Sequence, residues 1–282
     1  MATRNDQLAT LRWHRLSAEL VNIRSSPARK APPVSVFQAV VKGVNLLLGE
    51  TEDSPIFFHL RGKGHTFAMR RGDRVTVDVL FCRRDEAFVN RWRDEFVRDL
   101  SDPETGRNFD ILKLGAVEER SLESLAAELG PLPGEGELCL EFLTPLPFRP
   151  EKGKPRTHLS PRTFVGALET RLSRLFGVDV ASRWEEEALT LLSCYWNYTE
   201  IRHPSQSQPG QTQYVNGCAG KLYLKGQFSG LLPLLMLASE LHAGGKLPNS
   251  QGYFRIHTEP VGYFQPIFPG RKGILSAIRD VI

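Results

Sequence analysis

The chain has 282 residues, 41% of them hydrophobic, with a formal net charge of +4 and a pI of about 8.9. That length and composition bury one large core or two smaller ones. No run of about 18 apolar residues is present, which excludes a membrane-spanning helix, and the mild basic excess is compatible with a polyanionic partner.

The first residues, Met1 to Gln7, are polar and do not read as a signal peptide. Four cysteines (Cys82, Cys139, Cys194, Cys218) lack C-x-x-C spacing, so neither a zinc ribbon nor a disulfide framework is indicated. The expected location is the cytoplasm, with reduced thiols and no membrane association. In chain order, Leu8 to Val21 reads as a strand with Leu11 and Trp13 on one face and Arg12 and His14 on the other. A linker rich in Pro and basic residues follows, carrying Arg24, Arg29 and Lys30 and ending at Ser35. Val36 to Leu48 has apolar residues at helical spacing. Ile56–Arg61, a turn at Gly62-Lys63-Gly64, His65–Met69 and an alternating strand Arg74–Phe81 come next. Phe88, Trp92, Phe96 and Leu100 recur at steps of four and define a second helix, and Phe109–Leu114 closes the unit.

The acidic stretch Leu114–Gly136 reads as an inter-domain linker (about 115–136) with a short helix at Ser121–Leu129. Beyond it the order repeats: a strand at 138–143, a basic turn segment Pro145–Pro161 and a helix burying Phe164, Leu168, Leu172 and Leu175. Strands at about 188–201 and 218–225, a leucine-rich helix at about 230–242 and a strand at about 252–258 complete it. Each half reads β-α-β-β-α-β, the ferredoxin-like or RRM-like order. The fold class is therefore α+β, two tandem ferredoxin-like domains over 1–130 and 137–282, with a C-terminal glycine-rich loop.

That loop runs Leu241-His242-Ala-Gly244-Gly245-Lys246, then on to Gln251-Gly252. Glycine allows positive φ and close backbone approach, so consecutive N–H groups are able to face an anion, with Lys246 supplying an ammonium. Spacing excludes two relatives: Lys246 is followed by Leu247 rather than Ser or Thr, and no Gly-x-Gly-x-x-Gly follows a strand.

From Trp196 to Ile256 the sequence resembles the C-terminal half of the CRISPR-associated RAMP endoribonucleases that cut precursor crRNA within its repeats. The residues that carry the resemblance are Trp196, the stretch Arg202-His203-Pro-Ser205-Gln206, the glycines Gly217, Gly220 and Gly226, and the helix end Leu241-His242 with Gly244, Gly245, Lys246 and Gly252. Three departures stand out: Ser250-Gln251-Gly252-Tyr253 replaces the usual Phe-Gly-x-Gly, the stretch at Arg202–Gln206 matches the family's Arg-Tyr-Ser only imperfectly, and no histidine lies on the Val36–Leu48 helix. The resemblance implies repeat-RNA binding and cleavage to mature crRNA, a stem-loop substrate, other CRISPR effector subunits as partners and no cofactor. It also leaves open a non-catalytic subunit that scaffolds crRNA.

Cleavage by the 2′-hydroxyl needs proton transfer, which suits histidine, and a cation for the developing phosphorane charge. No D-x-D or HExxH group lies near the glycine loop, so a metal-free route is expected. Candidate catalytic residues are His242, Lys246, His203, His14 and Arg24, with His59 and His65 next. Candidate RNA contacts are Arg29, Lys30, Arg61, Lys63, Arg70, Arg71, Lys154, Arg156, Arg202, Gly244, Gly245 and Gly252. Arg91, Arg93 and Arg98 alternate with acids and read as a solvated ion-pair face. Tyr253 and Phe254 read as core.

Overall fold

The structure, a computed structural model, describes residues 4–23, 34–51, 53–62, 70–101, 109–180, 188–204, 212–245 and 250–258. The first half runs α1 (Arg4–Thr10), β1 (Arg12–Asn22), α2 (Val34–Leu47), β2 (Ile56–Leu60), β3 (Arg74–Cys82), α3 (Glu86–Ser101) and β4 (Phe109–Ser121). Its antiparallel sheet has the order β2-β3-β1-β4. After α4 (Leu122–Leu129), the second half runs β5 (Glu135–Leu146), α5 (Pro161–Phe176), β6 (Leu189–Pro204), β7 (Thr212–Gln227), α6 (Leu232–Leu241) and β8 (Phe254–His257). Its sheet, β6-β7-β5-β8, repeats the same order. Both halves are therefore ferredoxin-like, as the element order implied.

Several boundaries differ from expectation: β5 and β7 are longer than the 138–143 and 218–225 expected, and two further differences lie in the first half. Residues 8–10 belong to α1 rather than to the first strand, because the Thr10 hydroxyl donates to the Gln7 carbonyl and Arg12 donates to that of Ala9, closing the helix end. The strand expected to stop at Leu114 continues to Ser121, because β1 pairs with it as far as Arg12↔Ser121. Ser121 then caps α4 reciprocally with Ser124, a capping box that starts the helix where periodicity placed it.

Alternation decides what each face of the first sheet meets. Leu16, Leu20, Val77 and Phe81 pack against Phe37, Val40, Val44, Trp92 and Phe96 of α2 and α3. The opposite face carries Trp13, Phe57, Leu80 and Cys82, which join Leu168, Leu172, Leu235 and Leu241 of the second half in one continuous core. Every residue of β2 is buried because both faces of that strand are covered.

Candidate nucleic-acid interface

The leucine-rich α6 ends at His242, whose backbone takes φ 69° and ψ 173°. That region is essentially reserved for glycine and costs on the order of 1–3 kcal/mol for other residues. Surrounding contacts hold it there. His242 is fully buried, its Nε2 lies 3.2 Å from Nδ1 of His59 on β2, and its ring packs edge-on to Phe57. Burial, with Arg171 and His59 adjacent, holds its pKa well below the usual histidine value. The expectation placed His242 toward a substrate; in the structure it is an enclosed ring at the junction of the two halves, held toward its neutral form.

The array extends from there. His59 Nε2 is 3.1 Å from Asp78 on β3, and Tyr253 stacks on the His59 ring at 4.2 Å and 10°. Asp78 also accepts from Ser17 at 2.6 Å and from Arg61 at 2.9 and 2.6 Å. Burial alone would raise its pKa; the donors and charge of His59 and Arg61, with Ser17, outweigh that and hold it well below the carboxylate range. Arg61 is thus ion-paired to Asp78 while its side chain stays half exposed. Glu240 of α6 accepts from Arg15 at 3.3 Å and from Arg120 at 3.1 Å, a further link between the halves. A cleft of about 340 Å³ opens beside this junction, but Arg15, Arg61 and Arg255 in its wall are balanced by Asp78, Glu128 and Glu240. Its charge does not single it out for a polyanion.

The glycine loop is likewise tied inward. Gly244 N–H donates to Ala167 O at 3.0 Å and Gly252 N–H to Pro145 O at 2.9 Å. Those two amides are engaged within the protein, contrary to the expectation that they face an anion. A Cβ on Gly252 would lie 2.0 Å from the Ala243 oxygen. Arg174 of α5 donates to the Gly245 carbonyl, and Ser250 donates to the Phe58 carbonyl of β2. Buried Arg171 donates to Leu241 O at 2.9 Å and caps α6; burial pushes its pKa down to about 9.

Charge is presented instead at the end of the second half where three segments meet. β5 pairs with β7 only as far as Leu146↔Cys218, while β6 and β7 continue together to Pro204↔Thr212, a hairpin that outruns the sheet. The segment 149–158 lies against its base, held by Trp196 Nε1 donating to Thr157 O at 3.1 Å. Lys152, Lys154 and Arg156 on this segment are exposed, and the Arg156 guanidinium sits 5.0 Å above the Tyr198 ring. Gln251 Nε2 donates to Asn216 O at 2.9 Å, tying the glycine turn to the same hairpin.

The other candidates are dispersed. Arg70 and Arg71 are exposed in the turn before β3. His14 is half-buried, its Nδ1 3.0 Å from the Arg84 carbonyl. Arg202 and His203 pair with Tyr214 and Gln213 along the hairpin, and their side chains are outside what the structure describes. Arg24, Arg29, Lys30, Lys63, His65 and Lys246 lie outside the described residues. Arg93 with Asp94 and Arg98 with Glu95 form the surface ion pairs expected of α3. Tyr253 and Phe254 are buried, as expected. Among the described residues no three His, Cys, Asp or Glu side chains are grouped to hold a metal ion. The sequence reading missed Asp78, Glu240 and Arg171, whose partners lie 19, 120 and 70 positions away; no local spacing signals such pairs.

Residues 140–253 match the model of the family "CRISPR-associated endoribonuclease Cas6", which bears out the resemblance to RAMP endoribonucleases read from the second half. A comparison with curated proteins finds no match. Among solved structures, a product complex of Cas6 (TTHB231), a Thermus thermophilus protein, aligns at 15% identity and a TM-score of 0.55, covering 87% of this chain and 100% of that one. A product complex of Cas6 (TTHA0078) aligns at 15% and 0.54, covering 88% and 100%. A partial Cas6-RT-Cas1–Cas2 complex aligns at 12% and 0.57, covering 93% of this chain and 49% of that one. At these identities the structures show a shared fold.

Proposed function

We propose that this chain, a relative of the CRISPR-associated endoribonuclease Cas6 through residues 140–253, binds the repeat of a precursor crRNA and cleaves it without a metal by attack of the 2′-hydroxyl. One observation carries the reading: the matched residues span β5, the basic segment, the β6–β7 hairpin and the glycine loop, which converge on one end of the molecule. Lys152, Lys154 and Arg156 there supply phosphate contacts, and the hairpin presents a long edge to a nucleic-acid stem.

With His242 enclosed, the chemistry falls to the remaining candidates. In this reading the basic segment binds, with Gly245 the part of the glycine loop left to join it, while Lys246 and Arg24 stabilise phosphorane charge and His14 or His203 moves the proton. The product, a repeat-derived 3′ hairpin, stays bound, and other CRISPR effector subunits are the partners. The proposed setting is the cytoplasm; among the described residues no helix is long and apolar enough to cross a membrane.

A second reading, a non-catalytic RAMP subunit that scaffolds crRNA, is favoured by one observation: both His59 and His242 are buried at the junction rather than at the basic end. Incubation of the protein with repeat RNA in EDTA separates the two. The enzyme reading expects a 2′,3′-cyclic phosphate product that disappears when the scissile 2′-hydroxyl is replaced by hydrogen. Tight binding with intact RNA selects the scaffold, and cleavage that requires added metal refutes the proposed mechanism.

A further inference from the structure

β6 carries a bulge whose residues the RNA-binding reading leaves unused. Cys194 pairs with Lys221 and Asn197 with Ala219, so Tyr195 and Trp196 together oppose Gly220. Tyr195 takes φ 51°, a left-handed position that such bulges normally give to glycine. A Cβ on Gly220 would lie 2.5 Å from the Tyr195 oxygen and 2.8 Å from the Trp196 Cα, so the facing glycine is what admits the extra residue. Asn197 Nδ2 donates to the Tyr195 carbonyl at 3.0 Å and fixes the kink.

The two aromatic residues of the bulge differ in fate. Trp196 is 7% exposed and holds the basic segment through Thr157, whereas Tyr195 is 46% exposed. Tyr195 thus presents a large aromatic ring, half exposed, from a left-handed backbone position. Its position is informative: it adjoins the tryptophan that bonds the basic segment at Thr157, on the hairpin whose Tyr198 ring lies under the Arg156 guanidinium.

We propose that Tyr195 is a stacking platform for an unpaired nucleobase of the bound RNA, beside the backbone gripped by Lys154 and Arg156. The proposal rests on the RNA-binding reading above and adds a site to it. Stacking needs a rigid exposed ring and tolerates any base, because every base offers a π-face. The bulge supplies the rigidity, and the adjoining cations supply the phosphate attraction.

Tyr195→Gly tests this directly, since glycine suits the left-handed backbone and removes the ring. The variant should remain folded in a thermal melt while repeat-RNA affinity falls roughly 5- to 150-fold. Tyr195→Phe should bind like the parent. Repeat RNA with 2-aminopurine at successive unpaired positions should show one position quenched by the parent and by Tyr195→Phe, and bright with Tyr195→Gly. Unchanged affinity with no responding position overturns the proposal. So does an affinity loss that merely follows a fall in melting temperature, because Tyr195 then serves packing. Failure of the parent protein to bind any repeat RNA sinks the RNA-binding reading itself, before a variant is compared.

Discussion

His242 shows how one side chain changes meaning with its surroundings. At a helix end beside glycines it looks like a proton carrier; enclosed by Phe57, His59 and Tyr253 it is an interfacial ring held neutral. The unfolded imidazole titrates near 6.5, above its folded value, so the unfolded state binds the extra proton as pH falls. Stability should be complete above about pH 6.5 and decline below it by up to about 1.4 kcal/mol per pH unit. Urea midpoints measured from pH 7.5 to pH 5 check this, and His242→Leu should flatten the dependence. Asp78 adds a second, more acidic window: its depressed carboxylate stabilises above the unfolded value of 3.8, and that stability is lost as pH falls further. Truncation in His242→Ala removes a packed ring and should cost about 2–4 kcal/mol, while the folded fraction retains its RNA affinity.

At the scale of elements, the glycine loop and the basic segment divide the work. Gly252 has φ 77° and no room for a Cβ, so Gly252→Ala should destabilise the protein by at least about 3 kcal/mol. Gly245 has an ordinary φ, and its nearest neighbour is the flexible end of Arg174 at 3.2 Å. Gly245→Ala should therefore fold normally in a thermal melt, and any change in repeat-RNA affinity then reports binding rather than packing. For the segment at 149–158, Lys154→Ala and Arg156→Ala should leave the melting temperature nearly unchanged. In salt titrations each should flatten the log–log affinity slope by about 0.7–0.9 for every phosphate that is no longer neutralised. These elements were legible because their signals are local. Ser160 and Pro161 start α5 and Gly177 ends it at φ 70°, all within a few residues of the helix. The bulge at Tyr195 was not legible, because it depends on Gly220 lying opposite, and the chain between them says nothing about register.

The whole molecule should unfold as one unit. Trp13, Phe57, Leu80 and Cys82 of the first half share a core with Leu172, Leu235 and Leu241 of the second, and Glu240, Ser250 and His242 cross the same junction. Far-ultraviolet circular dichroism and tryptophan fluorescence should report coincident transitions in urea. Two separated transitions would show that the junction contributes little.

By itself the sequence determined the element order, the ferredoxin-like repetition and the kinship of the second half, because strand and helix periods, caps and glycine spacing act over a handful of residues. Tertiary structure alone decided which charged and aromatic groups reach solvent. The second face of the first sheet could have met water or another layer, and only its packing on α6 buries His59, Asp78 and His242 together. Burial is a property of the assembled layers, and with it come the desolvation that lowers the His242 pKa and the exposure of Lys152, Lys154 and Arg156.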